Sequence, residues 1–222
     1  MAITGRGLLG ANSGKPTGCY GIGFGTYYSY YPNGTSDVSR QSRLLCARVK
    51  TGHRKWVKRY AARVRELTQS DDRWDELFRG AILVPIPPSI PGRFSAVGML
   101  AGVICACGLA MSVWDGLSRR AAVKRSSTAW KWQRPTVEQH FASLAFVPAS
   151  KAPTRITLVD DVITKGRTVM AAALRVRAAY PRVPICAFAL LRTVGLGSEL
   201  ASVRDPCLGT IRWNGEDVCR EP

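Results

Sequence analysis

Ile156-Thr-Leu-Val-Asp-Asp-Val-Ile-Thr-Lys-Gly-Arg-Thr168 is the stretch from which the fold of this chain is read. The apolar run Ile156 to Val159 has the composition of a buried strand, and two adjacent carboxylates, Asp160 and Asp161, close it. A short turn rich in Gly and Thr follows, and Val169 to Leu174 then reads as a helix. A strand, a turn and a helix start in this order build an anion site. Main-chain N–H groups around Lys165, Gly166 and Arg167 can point at a phosphate, and the helix dipole favours negative charge there. Gly166 permits a close backbone approach, and the Thr164 and Thr168 hydroxyls can donate to phosphate oxygens. The carboxylates stand at the C-terminal end of the strand, where open α/β sheets bind their ligands. A ribose 5′-phosphate suits the whole set, with its hydroxyls at the carboxylates and its phosphate in the turn. The same residues also suit an ordinary strand end capped by Asp ahead of a polar turn.

Composition sets the bounds. The 222 residues are enough to bury a sizeable core, and a hydrophobic share of 46% points to a globular chain rather than a disordered one. Lys and Arg number 32 against 15 Asp and Glu, a formal charge of +17. Such an excess predicts polyanionic ligands, whether nucleic acid, nucleotide phosphates or an anionic surface, and does not choose among them. A solvated basic surface is the simplest alternative. The seven cysteines form no CxxC pair and only two histidines accompany them, which fits free thiols in a reducing, cytoplasmic setting and argues against structural zinc. Met1 to Gly10 lacks a long apolar run, so no signal peptide is expected. Ala96 to Trp114 carries no charge, but its Gly, Ser and Ala dilute it. A buried helix over Ser95 to Cys107 running into a strand over Leu109 to Trp114 is expected there, and no membrane span.

Residues 1–18 read as a loose arm, and the aromatic, Gly-interrupted Cys19 to Tyr31 reads as one or two strands. Ser39 to Leu67 reads as helix broken at Gly52, with mostly basic polar positions, and Asp71 to Phe78 as a short acidic helix. Ala81 to Pro87 is the next strand, its pairing limited by Pro85. Leu117 to Gln139 has no clear apolar period and reads as a long basic loop, or a loop around a short hairpin. His140 to Val147 is a candidate strand, Pro184 to Leu191 a strongly buried one, and Gly195 to Pro222 has no strong pattern. Strand–helix alternation from 81 to 191 predicts an α/β fold with a mainly parallel central sheet flanked by helices. The expected division is a basic N-terminal flanking region over 1–80, a core over 81–195 and a tail over 196–222.

The stretch opening at Ile156 resembles the phosphoribosyl-pyrophosphate (PRPP) loop of type I phosphoribosyltransferases, where four mostly apolar residues and two acids precede a Thr-x-Gly-x-Thr turn. Asp160-Asp161 and Thr164-Lys165-Gly166-Arg167-Thr168 fit every position. The wider layout is similar to the ComF-like group of that fold, associated with DNA uptake in competent bacteria. Val49-Lys50-Thr51-Gly52, Val84-Pro85-Ile86-Pro87, Arg93-Phe94 and the basic loop before the motif stand in corresponding places. The likeness covers roughly residues 40–195. Two departures stand out. That group often carries an N-terminal four-Cys zinc module, absent here, and Lys165 replaces a commonly small residue, with Arg167 two positions on.

The resemblance implies a type I phosphoribosyltransferase-like fold and a ligand set of PRPP with Mg²⁺. It also implies displacement of pyrophosphate from the ribose by a nitrogen nucleophile. Asp160 and Asp161 would hold the ribose hydroxyls, directly or through Mg²⁺, and Thr164 to Thr168 the 5′-phosphate. Pro87, Pro88 and Ser89 would approach pyrophosphate, Arg93 would neutralise it, and Arg119, Arg120, Lys124 or Arg125 would close over it as a lid. Purine-salvage members place an Asp where this chain has Thr164, which argues against hypoxanthine or guanine as acceptor, and no residue marks a particular base. The alternative is a single-stranded nucleic-acid binder, DNA above all, in which the loop is a sensor or a relic. Lys124 to Arg134 interleaves cations with Trp130 and Trp132, the arrangement that holds single strands by stacking and phosphate neutralisation. A basic loop whose tryptophans dock on the core is the plainer reading of the same residues.

Overall fold

The aromatic run at the start of the described chain folds as one strand, β1 (Tyr20–Tyr30), in a computed structural model that describes residues 19–124, 134–195 and 201–222. Its alternation sends Ile22 and Phe24 to one face and Gly21, Gly23 and Gly25 to the other, where Gly25 lies hard against Trp74 and Leu77. Ser36 caps α1 (Asp37–Lys50), and Gly52, at φ 63°, turns the chain into α2 (Arg54–Ser70). Asp71 caps the single turn α3 (Asp72–Asp75), shorter than the acidic helix expected. Then come β2 (Ile82–Pro85), α4 (Ala96–Ala106) and β3 (Ser112–Val113). The uncharged stretch from Ala96 is thus a short helix followed by a two-residue strand. No helix among the described residues is long and apolar enough to cross a membrane.

Two differences follow in the next segment. β4 (Leu117–Arg119) pairs antiparallel with β5 (Leu144–Phe146) as a separate two-stranded sheet. Of the strand expected over His140 to Val147, only β5 is strand; its first half belongs to α5 (Val137–Ser143), because Thr136 and Gln139 form a reciprocal capping box that starts a helix just before it. β6 (Ile156–Ile163), α6 (Arg167–Ala179) and β7 (Ile185–Thr193) follow as read, although β6 runs four residues beyond its apolar part. The tail that lacked a pattern is an antiparallel pair, β8 (Arg204–Trp213) and β9 (Val218–Glu221).

The main sheet has seven strands in the order β3-β2-β6-β7-β1-β8-β9. β3, β2, β6, β7 and β1 are mutually parallel, and β8 and β9 extend the β1 side antiparallel. The chain is therefore α/β with a mostly parallel central sheet. Residues 20–30 do not flank this sheet but lie inside it, between β7 and β8. Two apolar layers cover the faces. One joins α6 and Val137 of α5 to Leu158, Ala187 and Ile211; the other joins α1, α2 and α4 to Leu83, Val159 and Phe188. From β2 the chain passes outward to β3, and from β6 it passes the other way to β7, so the direction reverses between β2 and β6. Crevices beyond the C-terminal ends of strands at such a reversal are the usual ligand sites of open α/β sheets.

Candidate functional site

At that reversal Pro85 pairs with Val159, and the Ile86 N–H donates to the Val159 carbonyl at 2.8 Å. Ile86 and Asp160 therefore lie side by side, just past the end of β2 and inside β6. Asp161 donates its N–H to the Asp160 carboxylate at 2.8 Å. Burial first, and then the Asp161 charge, raise the Asp160 carboxyl well above the ordinary carboxylate range. Lys50, near enough to act on it, pulls the other way.

The turn after β6 is fixed by one residue. Gly166 has φ 95° and is the N-cap of α6. A Cβ there would stand 2.9 Å from the Ile211 side chain of β8, so conformation and space both require glycine. Beside this turn lies a cavity of about 350 Å³, lined by Asp160, Thr164, Lys165, Gly166, Arg167 and Thr168 among others. The four unbonded N–H groups of the first turn of an α-helix give this end anion affinity.

Around the cavity stand residues that no sequence reading singled out. Asp217, in the β8–β9 turn, takes both cations of the loop. It accepts from Arg167 Nε at 2.8 Å and Nη2 at 2.9 Å, and it also binds the Lys165 ammonium. This fork holds its carboxyl far below the usual carboxylate range. Arg220 of β9 donates to the Ile163, Thr164 and Thr193 carbonyls at 2.9, 2.8 and 2.7 Å, pinning the last residue of β6 and the first residue of the turn. His140 of α5 lies 3.3 Å from the Thr168 hydroxyl through Nε2, while its Nδ1 is buried without a partner among the described residues. Burial, with Arg119 and Arg167 nearby, lowers its pKa to about 4, so the ring is neutral at pH 7.

The expected residues divide into three sets. Asp160 and the loop from Thr164 to Thr168 line one cavity; Asp161 adjoins it through its neighbour. Pro88 and Ser89 are held nearby through their carbonyls, which accept from Arg119 at 3.2 Å and from the Val123 N–H at 2.9 Å. Arg119 itself is no lid residue: it is buried in β4, and its guanidinium also donates to Ser143 at 2.6 Å. Arg120 and Lys124 are exposed, and the Arg120 N–H is held by the Ser143 carbonyl. Arg93 is exposed, beside a Phe94 ring that packs on Gly52 at the α1–α2 turn. Arg125, Trp130 and Trp132 lie outside the described residues.

The donor set limits the metals that suit it. Among the described residues no group of three or more His, Cys, Asp or Glu side chains gathers as a metal cage. Adjacent carboxylates without further protein ligands suit Mg²⁺, which keeps its waters and shares one or two carboxylates with a bound phosphate. The raised carboxyl of Asp160 has the same cause, two acids in one poorly solvated place, and a dication relieves it. No protein-family model matches the chain, and no curated protein matches it in sequence.

Proposed function

We propose that this chain has a type I phosphoribosyltransferase-like core that binds PRPP with Mg²⁺ beyond the end of β6. It transfers the phosphoribosyl group to a nitrogen nucleophile. One observation carries the reading: the Asp160 carboxylate of β6 and the glycine-started N-terminus of α6 line the same cavity. That is the layout a ribose 5′-phosphate needs, with hydroxyl acceptors at one side and phosphate donors at the other. In the reaction the bond from ribose C1 to the pyrophosphate oxygen breaks, and pyrophosphate leaves with the electron pair. The nitrogen forms the new bond to C1 and releases its proton to water. Mg²⁺, when bound, neutralises charge on the departing pyrophosphate.

The chain's own groups position and stabilise. The Asp160 and Asp161 carboxylates hold the ribose hydroxyls and oppose the positive charge that develops on the ring. The N–H groups of the turn and the Thr164 and Thr168 hydroxyls take the 5′-phosphate. His140 fixes the Thr168 hydroxyl from behind and, being neutral, adds no charge of its own. The Pro87 to Ser89 segment faces the pyrophosphate. The test is pyrophosphate release from PRPP with Mg²⁺ across a panel of ammonia and nitrogen bases, for wild type and Asp160→Asn/Asp161→Asn. The reading expects release that the double variant lacks; equal release by both throughout the panel overturns it.

A second reading has its own observation. Arg48, Arg54, Lys55, Lys58 and Arg59 are exposed on α1 and α2, and Arg48 and Arg59 lie 4.1 and 5.7 Å from the centre of the Trp56 ring. A cationic face interleaved with an aromatic ring suits single-stranded DNA. Such binding weakens with salt by a log–log slope near −0.7 per phosphate contacted. A flat salt response excludes it.

A further inference from the structure

We propose that the opposite end of the sheet carries a second ligand site, for a small phosphate-bearing compound with a flat ring, of which a nucleoside monophosphate is the simplest case. The inference does not depend on the function proposed for the loop after β6. A cavity of about 550 Å³ lies where β1, β6 and β7 begin, and Arg73, Arg155, Arg177 and Arg182 line it with a single carboxylate residue, Glu76. Its volume falls within the range of small-ligand sites, about 300–1,000 Å³. The eight residues of β6 separate it from the loop after that strand, a span of roughly 26 Å at strand rise.

The arginines come from four places in the chain and converge. Arg73 is on α3, Arg155 just precedes β6, Arg182 just precedes β7, and Arg177 is in the last turn of α6. Arg177 is oriented by uncharged groups: it donates to the Tyr20 hydroxyl at 2.6 Å and to the Pro181 carbonyl at 2.6 Å. Arg155 binds the Glu76 main-chain carbonyl. Arg73 is forked to the Asp71 carboxylate, so the charge for an anion rests on Arg155, Arg177 and Arg182. Guanidinium groups held in place by neutral acceptors keep charge and donors, and planar N–H forks match phosphate oxygens.

The floor supplies the second half of the argument. Gly21 and Gly23 of β1 open the strand's surface beneath the cavity, with Leu77 and Cys186 beside them. Gly23 is exposed although its strand lies inside the sheet, and a Cβ added there would meet nothing within 4 Å. A strand surface without side chains, rimmed by apolar groups, is a platform on which a planar ring can lie. Phosphate alone needs no such floor.

Calorimetric titration of the full chain with AMP, adenosine and inorganic phosphate tests this. Gly23→Val fills the platform with a residue that favours strands and meets no neighbour, whereas Arg155→Met/Arg182→Met removes two cations. Because AMP itself carries a ribose 5′-phosphate, the comparison is made in the Asp160→Asn/Asp161→Asn background, where AMP is expected to bind and to bind at least tenfold more weakly once either cavity variant is added. Adenosine and phosphate are each expected to bind far more weakly than AMP. Circular dichroism checks that each variant is folded, and the arginine pair carries the test alone if Gly23→Val is not. Absence of AMP binding, AMP binding that survives in every folded cavity variant, or phosphate binding as tightly as AMP overturns the proposal.

Discussion

Gly166 and His140 show how single residues set the loop after β6. At φ 95°, and with Ile211 2.9 Å from any added Cβ, Gly166→Ala meets both a backbone and a packing cost. Roughly 2 kcal/mol of stability is expected to be lost, read as a lower urea midpoint, and an unchanged midpoint contradicts the account. His140 predicts a pH effect of definite sign. The folded state keeps it neutral down to about pH 4, whereas the unfolded chain takes up the proton near 6.5. Its contribution is present in full above pH 6.5 and is lost as pH falls toward 4. The stability advantage of wild type over His140→Asn should shrink by roughly 3 kcal/mol between pH 7 and pH 4. An advantage constant with pH would place the ring in solvent. The two constraints were not equally legible: the glycine stands inside the motif, whereas His140 reaches Thr168 from 28 positions away in sequence.

At the scale of elements, the β8–β9 hairpin governs the loop. Asp217 neutralises Lys165 and Arg167, and Arg220 ties the loop's carbonyls to β9. An entering phosphate therefore meets two cations already engaged by a carboxylate. Asp217→Asn should tighten inorganic phosphate binding severalfold and lower stability by at most about 1 kcal/mol, since the pair is partly exposed. Weaker phosphate binding in this variant would mean that Asp217 positions the cations rather than competing for them. The hairpin was hidden in the sequence for physical reasons. Pro206 lacks an N–H, the β1–β8 register shifts opposite it, and only Ile211 and Trp213 of β8 are fully buried. By contrast, strand β6, its turn and α6 are consecutive, and the apolar run, the acids and Gly166 mark each boundary. α5 did leave a signal, the Thr136-x-x-Gln139 capping box, outweighed by the apolar residues from Phe141 to Val147.

For the whole molecule, alternation of strands and helices was enough to give a mainly parallel sheet. It could not place β1. An aromatic strand far from its partners in sequence carries no mark of which strands it will join, and here it joins β7 and β8. That insertion puts Gly21 and Gly23 on the floor of the arginine-lined cavity, at the end of the sheet away from the loop after β6. The excess of 32 basic over 15 acidic residues suits anions at both. The central claim is that the cavity after β6 is a ribose-phosphate site built on Asp160 and Asp161. Thermal unfolding with PRPP and Mg²⁺ tests it most directly. Ligand at about 100 times its Kd adds about 2.7 kcal/mol, a rise in Tm of roughly 5–10 °C for a chain of this size. The account predicts that rise for wild type, its loss in Asp160→Asn/Asp161→Asn, and a much smaller rise with inorganic phosphate; no rise, or one that phosphate alone reproduces, would contradict it.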